Sequence, residues 1–148
     1  MRRMTYTDIY AIRRIEKDEF TEIYSFADYL KFLVYYPLLC LVIDVDGELA
    51  AFIIGNTNIE EGTPYGHISS LVVRPKFRRR KLATTLMNEF ERVCRSELNC
   101  EFVNFFVNCK NTVARSLYDK LGYRVHARLP QYYNDASDAL DMRKPIKP

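Results

Sequence analysis

Two apolar runs, LCLVIDV and ELAAFIIGNT, are separated only by Asp46-Gly47. Asp-Gly sits readily where both central residues of a turn need positive φ, the turn whose twist matches that of its strands, so the segment predicts a β-hairpin. A hairpin this apolar needs cover on its faces. The next segment supplies the means. HISSLVVRP reads as a strand that alternates poorly, which predicts burial on both faces, and Pro75 ends it. Leu82, Leu86, Met87, Phe90, Val93 and Cys94 then recur on one helical face.

The remaining segments follow the same logic. A short strand is expected near Arg2–Thr5, and Thr7 or Asp8 opens a helix to about Ile15. A second helix covers roughly Phe26–Val34, before Pro37. EFVNFFVN is a strand. Asn111 opens a helix whose Val113, Ala114, Leu117, Tyr118 and Leu121 form an apolar stripe, with Gly122 suited to its C′ position. YRVHARL and ALDMRK are the last two strands. The order β-α-α-β-β-β-α-β-α-β-β predicts an α/β fold: a mixed sheet with helices on its faces.

The chain of 148 residues fits one domain, residues 1–148, and its 48% hydrophobic and 14% aromatic content excludes a disordered chain. Cys40, Cys94, Cys100 and Cys109 form no C-x-x-C pair, and His67 and His126 stand apart, so neither a zinc site nor a disulfide scaffold is expected. FLVYYPLLCLVI is too short to span a membrane and Pro37 interrupts it, while MRRMTYTD leads into no apolar signal region. A soluble, cytoplasmic protein is the expectation.

Charge is concentrated in one place. RPKFRRRK, Arg74 to Lys81, holds six basic residues, more than the formal net charge of +3, so the rest of the chain is acidic. A nucleic-acid binder spreads its positive charge more widely. This cluster lies between a strand end and the first turn of a helix, where free amide N–H groups and the dipole favour an anion. Arginines beside it would add charge-assisted bonds to a phosphate.

Here the chain resembles the GNAT acetyltransferases. GHISSLVVRPKFRRRKLATTLM looks like their central motif, Arg/Gln-x-x-Gly-x-Gly/Ala, which falls on Arg78, Arg79, Arg80, Lys81, Leu82 and Ala83. Lys81 stands where the family usually has glycine. FTEIY, YLKFL, YGHISSL, NTVARSLYDKLGY and QYYNDASDALDMRK extend the resemblance over nearly the whole chain, and they are most similar to the N-terminal acetyltransferases of the NatB catalytic type. The resemblance implies a mixed, mostly antiparallel central sheet flanked by helices. It also implies acetyl-CoA as cosubstrate, with no metal, and acetyl transfer to the α-amino group of proteins beginning Met-Asp, Met-Glu, Met-Asn or Met-Gln.

Site residues follow from the same resemblance. The amides around Leu71, Val72 and Val73 contact the pantetheine arm and the oxyanion, and Arg78 to Ala83 hold the pyrophosphate. Tyr118, otherwise a core aromatic of its helix stripe, lies near the CoA sulfur as a general acid. Asn111, an N-cap by position, also lies by the reactive centre. Glu22, which alone reads as a surface charge, sits near the substrate amine, and Tyr24 lines the peptide groove. His67 and Ser69, one strand-step apart on one face, read the substrate's second residue. Tyr132 and Tyr133 close over the peptide. An α-amino group has a pKa near 8, so only mild base assistance is needed, and Glu22, His67 and a water chain all remain open as the base.

The resemblance further implies a large helical-repeat auxiliary subunit that carries ribosome contact, nascent chains as substrates, and a docking face on the N-terminal helices, with Tyr29, Phe32, Leu33, Tyr35 and Tyr36 as its apolar surface. Alternatives stay open. They are NatA-like specificity, another GNAT acetyltransferase, an inactive GNAT fold marked by Lys81, and a basic-patch binding module.

Overall fold

Asp46 and Gly47 take φ of 50° and 80° and join β2 (Cys40–Val45) to β3 (Glu48–Glu60), as their sequence requires. A second turn of the same kind, Glu61 (φ 49°) and Gly62 (φ 81°), joins β3 to β4 (Thr63–Val73). It extends β3 well past the expected Thr57, because Glu-Gly gives a weaker turn signal than Asp-Gly.

The computed structural model describes residues 1–147. Beyond the three strands above, the elements are β1 (Arg2–Arg3), α1 (Asp8–Ile12), α2 (Phe26–Tyr35), α3 (Leu82–Ser96), β5 (Phe102–Asn108), α4 (Thr112–Lys120), β6 (Arg124–Leu129) and β7 (Ala139–Pro145). The sheet order is β1-β2-β3-β4-β5-β7-β6. Among the described residues only β4 and β5 pair in parallel.

Helices cover both faces. Ala51 and Ile53 of β3 join Leu86, Met87 and Phe90 of α3 in one core, whereas Phe52 and Ile54 join Ile9, Ile12 and Tyr29 of α1 and α2 in the other. Burying each large apolar side chain contributes about 1.5–3 kcal/mol, so β3 anchors the fold from both sides. The strand buried on both faces is therefore β3. In β4 only Gly66 and Ile68 are buried, contrary to the expectation from its poor alternation.

Local chemistry sets the helix ends. Ser25 caps α2 by accepting from the Asp28 amide at 3.2 Å. Asn111 caps α4 by accepting from the Ala114 amide at 3.3 Å. Gly122 (φ 97°) closes α4, its amide bonding to Asp119 and that of Tyr123 to Tyr118. α1 is shorter than expected: Arg14 and Ile15 bond three residues back and tighten the chain out of the helix. Neither Thr7 nor Asp8 caps it; Asp8 instead accepts from the Thr5 amide at 2.7 Å and from Arg2 at 2.8 Å.

Candidate active site

β4 and β5 pair only over Tyr65–His67 against Phe102–Asn104. Beyond those three pairs the strands part. Between them lies a cleft of about 560 Å³, walled by Ser69–Val73 of β4, Phe105–Asn108 of β5, and Asn111, Leu117 and Tyr118 at α4. Asp18 to Glu22 also line it. This parting leaves Leu71, Val72 and Val73 only half-buried, because one flank of β4 faces a cavity instead of a strand.

Strand chemistry fixes which amides face that cavity. The Arg74 amide donates to Ala50 on β3 at 2.9 Å, and antiparallel alternation then commits Val72 to β3 as well. The amides of Leu71 and Val73 point to the open edge. Of the three amides expected to act, Val72 belongs to the ladder. A bulge lies just before, where Ile54 opposes Ser70 and Gly55 opposes Ile68, so Ser69 has no partner. It inverts the alternation: Ile68 faces the α3 core, and so do Leu71 and Val73.

The basic turn divides by position. Arg74 pairs with Glu16 at 3.0 Å and Lys76 with Glu48 at 2.8 Å, away from the cleft. Arg78 lines the cleft, reaching the Val73 carbonyl at 3.1 Å and Asp18 at 3.3 Å. Arg79, Arg80 and Lys81 have no carboxylate partner among the described residues, and Arg80 stacks on Phe77 at 5.6 Å. Lys81 is the residue before α3, with φ 59° and ψ 27° and no side-chain cap bond, so the first amides of α3 are unclaimed. Leu82 and Ala83 form the first turn of that helix. Cation and helix end thus coincide at one mouth of the cleft.

Tyr118 lies edge-on to Phe105, ring centres 4.3 Å apart, and burial alone pushes its hydroxyl up to about 12. Asn111 serves as the α4 cap and lines the same cavity. On the opposite face of the sheet, Glu22 reaches the cleft between two tyrosines. Burial, then the Glu22 charge, pushes both Tyr24 and Tyr133 up to about 12. The Tyr24 hydroxyl donates to the Ser69 carbonyl at 3.1 Å. An aromatic chain runs from Tyr133 through Tyr132 (5.0 Å) and Phe106 (5.6 Å) to His67 (5.0 Å). Ser69 Oγ donates to Asn56 at 3.4 Å, and Asn56 stands opposite His67, so the two expected readers share a face.

Residues 9–123 match the family model described as "Acetyltransferase (GNAT) family". This chain belongs to the GNAT family. N-alpha-acetyltransferase 20 of Dictyostelium discoideum is 36% identical to it, over 99% of this chain and 85% of that one. The N-terminal acetyltransferase B complex catalytic subunit of Schizosaccharomyces pombe is 36% identical over 98% and 84%. The structure of Chaetomium thermophilum Naa20 in complex with a bisubstrate analogue superposes with a TM-score of 0.90 at 27% identity, covering 97% of this chain and 85% of that one.

Within this GNAT chain, sequence reasoning missed Asn104 beside His67 and, behind it, Asp141 and Arg143. Asn104 and Asp141 are buried, and Arg143 joins them from β7. A polar residue inside NFFVN and another inside ALDM were the available signals, since a buried polar side chain in a strand needs a partner. The expected docking face also changes. Tyr29 is buried in the core, while Phe32, Leu33 and Tyr36 pack against one core or the other. Tyr35 stays exposed, joined by Tyr6, Tyr10, Leu30 and Val34. No helix among the described residues is long and apolar enough to cross a membrane.

Proposed function

We propose that the chain is a NatB-type catalytic subunit, moving acetyl from acetyl-CoA to the α-amino group of Met-Asp, Met-Glu, Met-Asn and Met-Gln N-termini. The parting of β4 from β5 carries this reading. It puts free backbone amides, a protonated tyrosine and a carboxylate around one gap. Acetyl-CoA fits the residues present: the uncapped α3 terminus with Arg78 to Lys81 suits its pyrophosphate, and the open β4 edge suits its amide-bearing arm. When bound it supplies the thioester acyl group.

The chain's own groups do the rest. Leu71 and Val73 offer amide donors to a developing oxyanion. Tyr118, protonated far above neutral pH, holds a proton for the departing thiolate. Glu22 accepts from the incoming amine, directly or through water, while Tyr132 and Tyr133 grip the peptide backbone. His67 and Ser69 read the second side chain. The exposed Tyr6, Tyr10, Leu30, Val34 and Tyr35 around α1 and α2 form the docking face for an auxiliary helical-repeat subunit, which brings the enzyme to nascent chains at the ribosome in the cytoplasm.

The test is acetyl transfer to peptides starting Met-Asp, Met-Asn, Met-Leu and Ser-Glu, with and without a co-expressed auxiliary subunit. Selective use of Met-Asp and Met-Asn is expected. Transfer to Ser-Glu instead would reassign the chain to NatA-like specificity, and transfer to none would mark an inactive fold or a different acceptor.

A further inference from the structure

A polar relay joins residues of four strands, β7, β5, β4 and β3, on the sheet face opposite α3. Arg143 donates through Nε (3.2 Å) and Nη2 (3.1 Å) to Asp141 Oδ2. Its Nη1 and Nη2 also reach Glu60 on β3, at 3.0 and 2.8 Å. The other oxygen, Asp141 Oδ1, accepts from Asn104 Nδ2 at 3.0 Å. Asn104 Oδ1 lies 2.9 Å from His67 Nδ1. Asn104 is 3% exposed and Asp141 6%, so no bulk water competes for the bond between them.

The chemistry of this relay has one solution. A carboxylate paired with Arg143 only accepts, so Asn104 must present its NH₂ to Asp141. Its oxygen is then fixed toward His67. An amide oxygen also only accepts, so His67 must carry a hydrogen on Nδ1. Neutral imidazole has one hydrogen, and Nε2 is left with a lone pair. Nε2 has no protein partner among the described residues. The charged groups tied into the relay are Asp141 and Arg143 from β7 and Glu60 from β3, with His126 of β6 near Glu60.

We propose that Asn104 and Asp141 are positioning residues that lock neutral His67 as the Nδ1–H tautomer, making its Nε2 an acceptor for the side-chain NH₂ of a substrate Asn or Gln at position two. This selectivity rests on the NatB-type reading; the lock itself does not. A carboxylate at position two finds no donor on Nε2 until the ring gains a second proton. At this one contact the relay favours an amide side chain over a carboxylate.

Asp141→Asn reverses the relay without changing its shape. Arg143 still demands an oxygen, so the new amide turns its NH₂ toward Asn104. Asn104 answers with its oxygen and hands its own NH₂ to His67 Nδ1. The ring must then move its hydrogen to Nε2, and Nε2 becomes a donor.

Long-range ¹H–¹⁵N spectra of histidine-labelled protein at mildly alkaline pH read this directly. The chain holds two histidines, so His67→Gln assigns the signals. Nδ1–H in the wild type and Nε2–H in Asp141→Asn are expected. Free imidazole side chains in water favour Nε2–H, so the wild-type spectrum is diagnostic even if the variant does not fold. Nε2–H in the wild type, or one tautomer in both proteins, overturns the lock. In the peptide assay the Met-Asn to Met-Asp ratio of kcat/KM should fall about tenfold in Asp141→Asn, the value of one hydrogen bond to a neutral group. A tautomer switch with an unchanged ratio would overturn the selectivity claim. No turnover of any peptide by the wild type would overturn the NatB-type reading, and the selectivity claim with it, while the spectra still decide the lock.

Discussion

The Tyr24 hydroxyl donates to the carbonyl of Ser69, the one residue of the β4 bulge that has no partner on β3. The bond fastens the segment carrying Glu22 to the strand edge where the sheet opens. A bulge leaves a carbonyl outside the ladder, and the tyrosine satisfies it. Tyr24→Phe removes about 1 kcal/mol of anchoring, so KM for the peptide should rise about fivefold with little change in kcat. Steady-state kinetics at saturating acetyl-CoA checks this, and an unchanged KM would detach Tyr24 from the groove.

Tyr118→Phe keeps the ring against Phe105 and removes only the hydroxyl. If that hydroxyl delivers the proton to the leaving thiolate, kcat should fall by about 10²-fold while KM for either substrate stays within about twofold. A kcat near that of the parent would assign Tyr118 to the core alone.

Three phenols, Tyr24, Tyr118 and Tyr133, are pushed up to about 12 by burial, with Glu22 adding to the first and third. An unfolded chain releases those protons near pH 10, so between about pH 10 and 12 the folded state binds more protons than the unfolded one. Stability is then full below pH 10 and lost as pH rises through the higher value. Thermal melts should be flat from neutral pH to about pH 9.5 and fall beyond it, and Glu22→Gln should move the phenolate absorbance of Tyr24 and Tyr133 to lower pH. A melting temperature insensitive to alkali would contradict the burial of these hydroxyls.

Lys81 holds a left-handed backbone, φ 59°, the region that glycine enters at least cost. A side chain there costs about 1 kcal/mol. Lys81→Gly should therefore be more stable than Lys81→Ala by about that amount, while both lose affinity for a phosphorylated ligand relative to the parent as the cation goes. Calorimetry of the pair and CoA titration separate the two effects; tighter CoA binding by Lys81→Gly would show that close backbone approach outweighs charge.

Legibility in the sequence followed the range of each interaction. Asp46-Gly47, Asn111 and Gly122 act within a few residues, so that turn and those caps could be read directly, whereas Thr7 and Asp8 cap nothing and the Ser25 cap was not anticipated. Which strand would be buried twice could not. HISSLVVRP looks more apolar than its exposure warrants because its neighbour β5 departs after three pairs, a separation set by residues far along the chain. The site's membership came from motif resemblance, and the structure adds what resemblance omits: Val72 is spent on the ladder, and His67 is oriented through Asn104 by an aspartate on β7. Such a relay joins residues 37 positions apart at each step, beyond the reach of any local pattern.

Three residue pairs between β4 and β5 close one end of a slot that passes through the sheet. Phe105 faces the α3 side of that slot and Phe106 the other. A slot with two mouths admits two visitors without a queue. On the proposed reading one reaches the gap past Arg78 and the other past Tyr133, so neither must leave before the other arrives. On that reading initial-rate plots intersect instead of running parallel.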